Sequence, residues 1–482
     1  MAEERLKKYP AALSRAIHDL AGRFGVGVFV VGGTVRDWLA GKEPRDLDLA
    51  VSGSALDFAA ALARELGGTY VLLDEDEKTA RVVWHAFIVD IAGFRGGADE
   101  IRQDLVQRDF TINALALPFP PQLASAPDQG QLIDPAGGLT DLRDGIIRAL
   151  GPACLVDDPL RLLRAFRFFA ETGFVIEPQT WQWITGYLPL IHAVSPERIS
   201  YELDCIMASR HAFKAMRLLK QSAMLGELLP ELQLGAGVMQ PASHHLDVLD
   251  HNLEALGWME RIVAQPGDFY PDQGEDLVQY LAVDKRVVWL KWAALFHDLG
   301  KPATLRMAGE RITFYNHERL GAELIAAVAK RQRWSREKYE RIASFVALHM
   351  WPFHLSNVRR KRGAVTGRAC LKMYKAADDG LAGLFLLAMA DSLAGQGPEK
   401  PPGMEKELAA LYTQVLDVCK TQVAPVLAGP RLVTGKDLIA MGLVPGPVFK
   451  DILAEVEKAQ VEGTVHDRLQ ALDRVRRFLA DR

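Results

Sequence analysis

The chain has 482 residues, 49% hydrophobic and 24% charged, enough for about three domains with buried cores and too apolar for a largely disordered chain. Its formal net charge of −4 excludes a uniformly basic nucleic-acid coat and leaves any polyanion to local patches. The longest apolar run, Gly380 to Ala390, is far below the roughly 18 residues of a membrane span; the start MAEERLKKYP has no apolar signal segment, and Cys154, Cys205, Cys370 and Cys419 lack disulfide or zinc spacing, so a reducing cytoplasm without membrane contact is expected.

Residues 5–24 read as an amphipathic helix, with Leu13, Ile17, Leu20 and Phe24 at helical spacing. An apolar strand, Val26 to Val31, ends in Gly32-Gly33; TVRDWLAG restarts as a helix that stops at Gly41. RDLDLAV alternates as a strand, 55–66 is helical, and 69–73 and 81–91 read as two further strands. This gives an α/β head over residues 1–150, closed by the Pro/Gly-rich stretch 118–145. From Pro159 onward helical periodicity dominates, with breaks at 230–242, 266–274 and 395–403, the last (GQGPEKPPG) reading as a linker.

In the head, two glycines between a strand and a helix let backbone N–H groups approach a bound anion, which suits a triphosphate. Asp46 and Asp48 lie two apart on a predicted strand, so both carboxylates share a face. Paired like charges call for a divalent cation, and Mg²⁺ there serves in-line phosphoryl displacement. Asp90, at the end of HAFIVDI, is either a third metal carboxylate or a strand-end acid.

The ordered set GGTVRD, RDLDLAV, RDFTINALAL, DDPLRLLRAFRF and ERISYEL resembles the class II tRNA nucleotidyltransferases, a family of CCA-adding, CC-adding and A-adding enzymes and bacterial poly(A) polymerases. The resemblance spans residues 25 to about 235 and implies an α+β protein: a nucleotidyltransferase-fold (polymerase-beta-like) head, then an all-α neck over 151–236. It implies that Gly32, Gly33 and Arg36 hold the triphosphate, that Asp46 and Asp48 are catalytic Mg²⁺ ligands, and that Arg108, Asp109 and Asn113 contact ribose and base. Gln107 departs from the family, which places an arginine there.

Asp158 and Arg161, three apart on a predicted helix, share a face and offer acceptors beside a donor fork, a combination that reads a nucleobase edge as a complementary base would. In the resembled family this helix is the protein template for CTP and ATP. Arg164 and Arg167 continue the same face toward nucleotide or phosphate.

Over 240–398, His251, His297, Asp298, His317, His349 and Asp391 each end or sit within an apolar helical stretch. Imidazoles with carboxylates suit Mn, Fe, Ni, Co or Zn. The pattern resembles the HD phosphohydrolase superfamily, which implies that Asp298 bridges two metals and Lys301 meets substrate phosphate. His244 and His245 lie one helical stretch earlier; His251 is taken as the first ligand.

Arg359, Arg360, Lys361 and Arg362, with Arg368 nearby, read either as a solvated loop or as phosphate contacts to RNA. Residues 404–482 form a helical tail, of which 432–478 resemble the C-terminal tRNA-binding element of the same family. The expected activity is addition of CCA, from CTP and ATP, to the 3′ end of tRNA, with a fused metal-dependent phosphohydrolase and no stable protein partner. The alternatives are a poly(A) polymerase, a CC-adding or A-adding enzyme, or a catalytically silent RNA-binding protein.

Overall fold

The computed structural model describes residues 9–44, 46–120, 131–309 and 311–480. Residues 5–8 of the expected first helix, Arg45 of RDLDLAV and 121–130 of the Pro/Gly-rich stretch lie outside the described residues. Two compact units divide the chain, Met1–Glu202 and Leu203–Arg482.

The first unit runs α1 (Ala11–Phe24), β1 (Val28–Val31), α2 (Gly32–Leu39), β2 (Leu47–Val51), α3 (Ala55–Leu66), β3 (Thr69–Asp74), β4 (Thr79–Trp84), β5 (Phe87–Gly93) and β6 (Ala116–Pro118), before the helix α4 (Leu160–Thr172) and the part of α5 (Pro196–Ala208) up to Glu202. The six strands form one sheet in the order β3-β4-β5-β2-β1-β6. Only the β2–β5 pair in it is parallel; the connection between them carries α3. Ser54 starts α3 by accepting the backbone N–H of Asp57, and Gly67, at φ +65°, ends it.

Side chains alternate across each strand, and this sorts the sheet into two faces. Leu47, Leu49 and Val51 of β2, Ala80 and Val82 of β4, and Val89 and Ile91 of β5 join Leu13 and Ile17 of α1 and Phe58 and Leu62 of α3 in the main core. Each large apolar side chain fully buried there contributes about 1.5–3 kcal/mol. The alternate residues Asp48, Arg81 and Asp90 therefore point to the opposite face, where Val31, Ala50, Ile101 and Leu105 form a smaller cluster.

The stretch 81–91, read as one strand, is a hairpin. His85 at φ +51° turns the chain between β4 and β5. A non-glycine residue in this region carries no sequence signal of a turn.

The second unit contains α6 (Val248–Ala264), α7 (Arg286–Phe296), α8 (His317–Arg331), α9 (Arg336–Leu348), α10 (Trp351–Arg362), α11 (Leu381–Ala394) and α12 (Met404–Val418). Twelve of the fourteen residues of α11 are buried, so it is the central helix of the unit. A single core joins Leu384 and Leu387 of α11 to Leu408, Leu411 and Val415 of α12. The intervening GQGPEKPPG is thus not a free linker. Gly397 N–H donates to the Ser243 carbonyl (2.9 Å), Glu399 N–H to that of Ala242 (3.1 Å), and Lys400 Nζ to that of Ser392 (2.6 Å). A separate small core, with Leu438, Ile452, Val456 and Val475, holds the short helix Gly435–Ala440 against α13 (Pro447–Val461) and α14 (Arg468–Ala480). Among the described residues no helix is long and apolar enough to cross a membrane.

Candidate active site and metal centre

In the first unit, β2 and β5 pair in parallel with Asp48 opposite Asp90, and β4 and β5 pair with Arg81 opposite Asp90. One cross-strand row therefore carries two carboxylates and a guanidinium. Arg81 Nε and Nη2 hold Asp90 at 2.7 and 2.8 Å, so Asp90 has a counter-ion of its own. Asp48 lacks such a partner on its strand neighbour. Burial first, and the Asp90 charge second, push its carboxyl up to about 6, against the pull of the Thr34 N–H and Arg108. Carboxylates at strand spacing repel by about 3 kcal/mol at the effective dielectric of a protein surface. A divalent cation at Asp48 would remove that repulsion, so this carboxylate fits one; Asp46, expected on the same strand, lies just before β2, where its carbonyl accepts from Thr34 Oγ1.

Gly32 and Gly33 begin α2 against this row. Gly32 has φ +62°, and a Cβ on it would lie 3.1 Å from Arg108 Nη1; a Cβ on Gly33 would lie 3.3 Å from Asp48 Oδ2. The glycines let the start of α2 approach the carboxylate, and Thr34 N–H donates to Asp48 Oδ2 at 3.3 Å. Thr34 Oγ1 also bridges the Asp46 carbonyl (3.1 Å) and the Asp48 N–H (2.8 Å), which locks α2 to β2.

From α2 a polar chain leads to α4. Arg36 Nη1 donates to Asn113 Oδ1 (2.9 Å), Asn113 Nδ2 to Asp109 Oδ1 (3.0 Å), and Arg164 Nη2 and Nε to Asp109 Oδ2 (2.6 and 2.9 Å). Asp109 is buried. Burial alone would raise its pKa, but Arg164, Asn113 and Arg161 outweigh it and hold the carboxyl well below the usual carboxylate range. Arg108 is occupied by Asp104, at 2.8 and 3.0 Å, and Gln107 lies against Gly96.

Asp158 and Arg161 do not share a helix. The helix Pro152–Asp157 ends at Asp158, which is extended at φ −134° because Pro159 follows it, and α4 begins only at Leu160. The two side chains still meet, Arg161 Nε lying 3.8 Å from Asp158 Oδ2. Arg161 Nη1 is anchored by the carbonyls of Gln107, Arg108 and Cys154 (3.1–3.2 Å), and Asp158 is held by Arg198 of α5 at 3.0 and 3.1 Å. Arg167 turns to Glu202 at 3.1 Å. Phe168, almost fully buried, has the guanidinium carbons of Arg36, Arg164 and Arg167 at 5.3, 5.4 and 4.7 Å from its ring centroid. Arg198, Glu202 and Phe168 are the residues that sequence reasoning missed, although ERISYEL and DDPLRLLRAFRF contain them.

In the second unit the six expected ligands converge. His251 lies within α6, His297 and His349 follow the last turns of α7 and α9, His317 opens α8, and Asp391 lies near the end of α11. His297, His317 and His349 each place Nδ1 2.7–2.9 Å from the carbonyl three residues earlier. A carbonyl only accepts, so Nδ1 carries a proton and Nε2 is turned inward as the donor atom. The Nε2 atoms face one another in pairs, His251 to His297 and His317 to His349, each at 3.2 Å.

Asp298 divides between these pairs. Its Oδ1 faces His317 (3.2 Å) and His349 (3.8 Å); its Oδ2 faces His297 (3.1 Å) and His251 (3.5 Å). Asp391 Oδ1 joins the second pair, 3.1 Å from His251 and 3.5 Å from His297. One carboxylate with an oxygen toward each of two imidazole pairs is the donor set of a bridged two-cation centre, and the residues fit divalent metals. Burial lowers the pKa of His297, but Asp298 and Asp391 outweigh it and hold His297 up at about 10. Lys301 Nζ lies 2.5 Å from Asp298 Oδ2 and 2.7 Å from Gln240 Oε1, so it is already paired at the centre.

Arg359, Arg360, Lys361 and Arg362 are not a loop. They form the last turn of α10, where cations offset the helix dipole, and Arg360 Nε reaches Glu407 of α12 at 2.6 Å.

Comparison with known proteins adds three family matches: residues 28–148 to the poly A polymerase head domain, 173–234 to the probable RNA and SrmB-binding site of polymerase A, and 248–419 to the HD domain. The A-adding tRNA nucleotidyltransferase of Deinococcus radiodurans is 32% identical, over 94% of this chain and 96% of its own length. The CC-adding tRNA nucleotidyltransferase of Thermus thermophilus is 31% identical over 92% of each chain. The Thermotoga maritima CCA-adding enzyme, solved in complex with tRNA, has the same fold, with a TM-score of 0.59 and 24% identity over 97% of this chain and 95% of that one.

Proposed function

Since the chain belongs to the family of tRNA nucleotidyltransferases and poly(A) polymerases, we propose that its first unit builds the CCA end of tRNA from CTP and ATP. The observation that carries this reading is the continuous contact Arg36–Asn113–Asp109–Arg164, which joins the Gly32-Gly33 start of α2 to the helix that follows Asp158.

Asp46 and Asp48 hold Mg²⁺. When bound, Mg²⁺ offsets charge on the reacting phosphate oxygens. Gly32, Gly33 and Arg36 receive the triphosphate at the start of α2, and Asp109 with Asn113 takes the ribose. The 3′ hydroxyl oxygen of the RNA bonds to the α-phosphorus, its proton is released, and the bond to the β-phosphate oxygen breaks to give pyrophosphate. Asp158 and Arg161 select the base: cytosine and adenine present an exocyclic amine beside a ring acceptor, which meets carboxylate and guanidinium in turn. Uracil and guanine turn a carbonyl toward Asp158. Arg359, Arg360, Lys361 and Arg362 meet the RNA backbone as an electrostatic contact.

The second unit is a phosphohydrolase centred on Asp298, with Mn, Fe, Ni, Co or Zn held by His251, His297, His317, His349, Asp298 and Asp391. Its substrates are the terminal phosphates of RNA or nucleotides. The four free cysteines suit a reducing cytoplasm.

A second reading is addition of only CC or only A. It is favoured by two relatives matched along more than 90% of both chains, one A-adding and one CC-adding. The test of the primary reading is labelling: tRNA lacking its three terminal nucleotides takes up label from both CTP and ATP in the presence of Mg²⁺. Uptake from neither sinks the reading.

A further inference from the structure

The donor sets around Asp298 are unequal. On the Oδ1 side stand His317 and His349. On the Oδ2 side stand His251 and His297, with Asp391 beside them. One more ligand-type side chain reaches this second side: a donor atom each of His244, His251 and Asp391 lie within 4.8 Å of one another. The His244 ring stands edge-on to that of His251, at 4.8 Å between centroids.

Local structure holds His244 there. Its Nδ1 contacts Ser243 Oγ at 3.0 Å, which leaves Nε2 without that tie. The segment 242–244 is clamped by the stretch after α11. Gly397 N–H donates to the Ser243 carbonyl, and a Cβ on Gly397 would lie 2.4 Å from the His244 nitrogen. Gly395 leaves room for the ring, a Cβ there being 3.5 Å from His244 Nε2. Asp391 lies on the same stretch of chain, four residues before Gly395.

Resting on the reading of this cluster as a two-metal centre, we propose that His244 is a further ligand, on the ion held by His251, His297, Asp391 and Asp298. That ion then has five protein residues and is nearly closed. The ion at His317, His349 and Asp298 has three and keeps open positions. Closed sites serve structure and open sites serve exchange and chemistry. Substrate phosphate and water therefore enter on the His317–His349 side, and the two ions leave at different rates.

The test uses full-length protein stripped of metal and reloaded with Co²⁺. Visible absorption reports coordination, and transfer of Co²⁺ to excess chelator reports release. Wild-type protein is expected to bind two ions and release them in two phases, one slow. His244→Phe should keep the apo melting temperature, change the Co²⁺ spectrum and speed the slow phase at least about tenfold. His244→Gln gives the same reading if the phenyl ring does not fit. His245→Phe, at the exposed neighbouring residue, should leave spectrum and release unchanged. Wild-type spectrum and release in both His244 variants overturn the ligand role. Failure of wild-type protein to bind two Co²⁺ ions overturns the two-metal reading, and the role of His244 with it.

Discussion

Asp109 and Arg164 are 55 positions apart in the chain and meet at 2.6 Å, the carboxylate taking two guanidinium bonds on one oxygen and Asn113 on the other. Through Asn113 this pair touches Arg36 at the start of α2, and through Arg164 it fixes α4. The residue expected to contact ribose is therefore also the joint between the start of α2 and α4.

Asp109→Asn weakens that joint without removing its volume. A charge-assisted bond becomes a neutral one, and Arg164 is left underpaired at a cost of about 1–3 kcal/mol. The folded-state pKa of Asp109 is depressed, so its contribution is present in full above the unfolded-state value near 4 and is lost progressively as pH falls from there through the lower folded-state value. The variant should melt earlier at pH 7 and lose less stability than wild type between about pH 5 and pH 2. Thermal melts across that range check it; parallel curves for the two proteins would contradict it.

Asp46→Ala or Asp48→Ala should abolish nucleotide addition and leave tRNA affinity nearly unchanged, because metals need the paired carboxylates while RNA is held by cations and helix ends. Addition assays with filter binding on the same protein decide it. Undiminished addition by either variant would remove the metal role.

Selection of the base is tested at Asp158. A carbonyl facing its carboxylate costs about 1–3 kcal/mol, or roughly ten- to a hundredfold in preference. Asp158→Ala should relax the demand for an exocyclic amine and flatten selectivity of CTP and ATP over UTP and GTP. Arg161→Ala should lower incorporation of CTP and ATP and also lower the melting temperature, since Arg161 bonds three carbonyls. Unchanged selectivity in both variants would shift selection to the tRNA end.

Phe168 positions three arginines. Phe168→Leu keeps most of the buried volume and removes the aromatic face, worth about 1 kcal/mol at a partly exposed cation. KM for both nucleotides should rise about fivefold with a smaller change in kcat. Phe168→Tyr, which keeps the face, should restore it. Equal losses in both variants would mean that the ring serves packing alone.

Much of this arrangement was legible in the chain because the chemistry sits at the ends of regular elements. His297 and His349 follow apolar helical runs, and Asp48 alternates with the core residues of β2, whereas Asp46, expected on the same strand, lies just before its first residue, Leu47. The misreadings have local causes. Pro159 forces Asp158 out of a helix that the i, i+3 spacing suggested, and His85 turns a strand with a left-handed residue that is not glycine. GQGPEKPPG looks like a linker by composition, yet its backbone bonds to 242–243 are invisible in sequence. Arg198, Glu202 and Phe168 went unassigned because their partners lie across the fold, and His244 was set aside in favour of His251 although the fold brings both to one centre.

In the proposed function a protein template selects C and A for the tRNA end. Single-nucleotide extension tests it most directly, with tRNAs three, two and one nucleotides short of completion and each of the four labelled NTPs supplied alone. CTP addition is expected on the first two acceptors and ATP addition on the third, with UTP and GTP reduced at least about tenfold throughout. Extension by ATP alone on all three, or equal use of all four nucleotides, would contradict it.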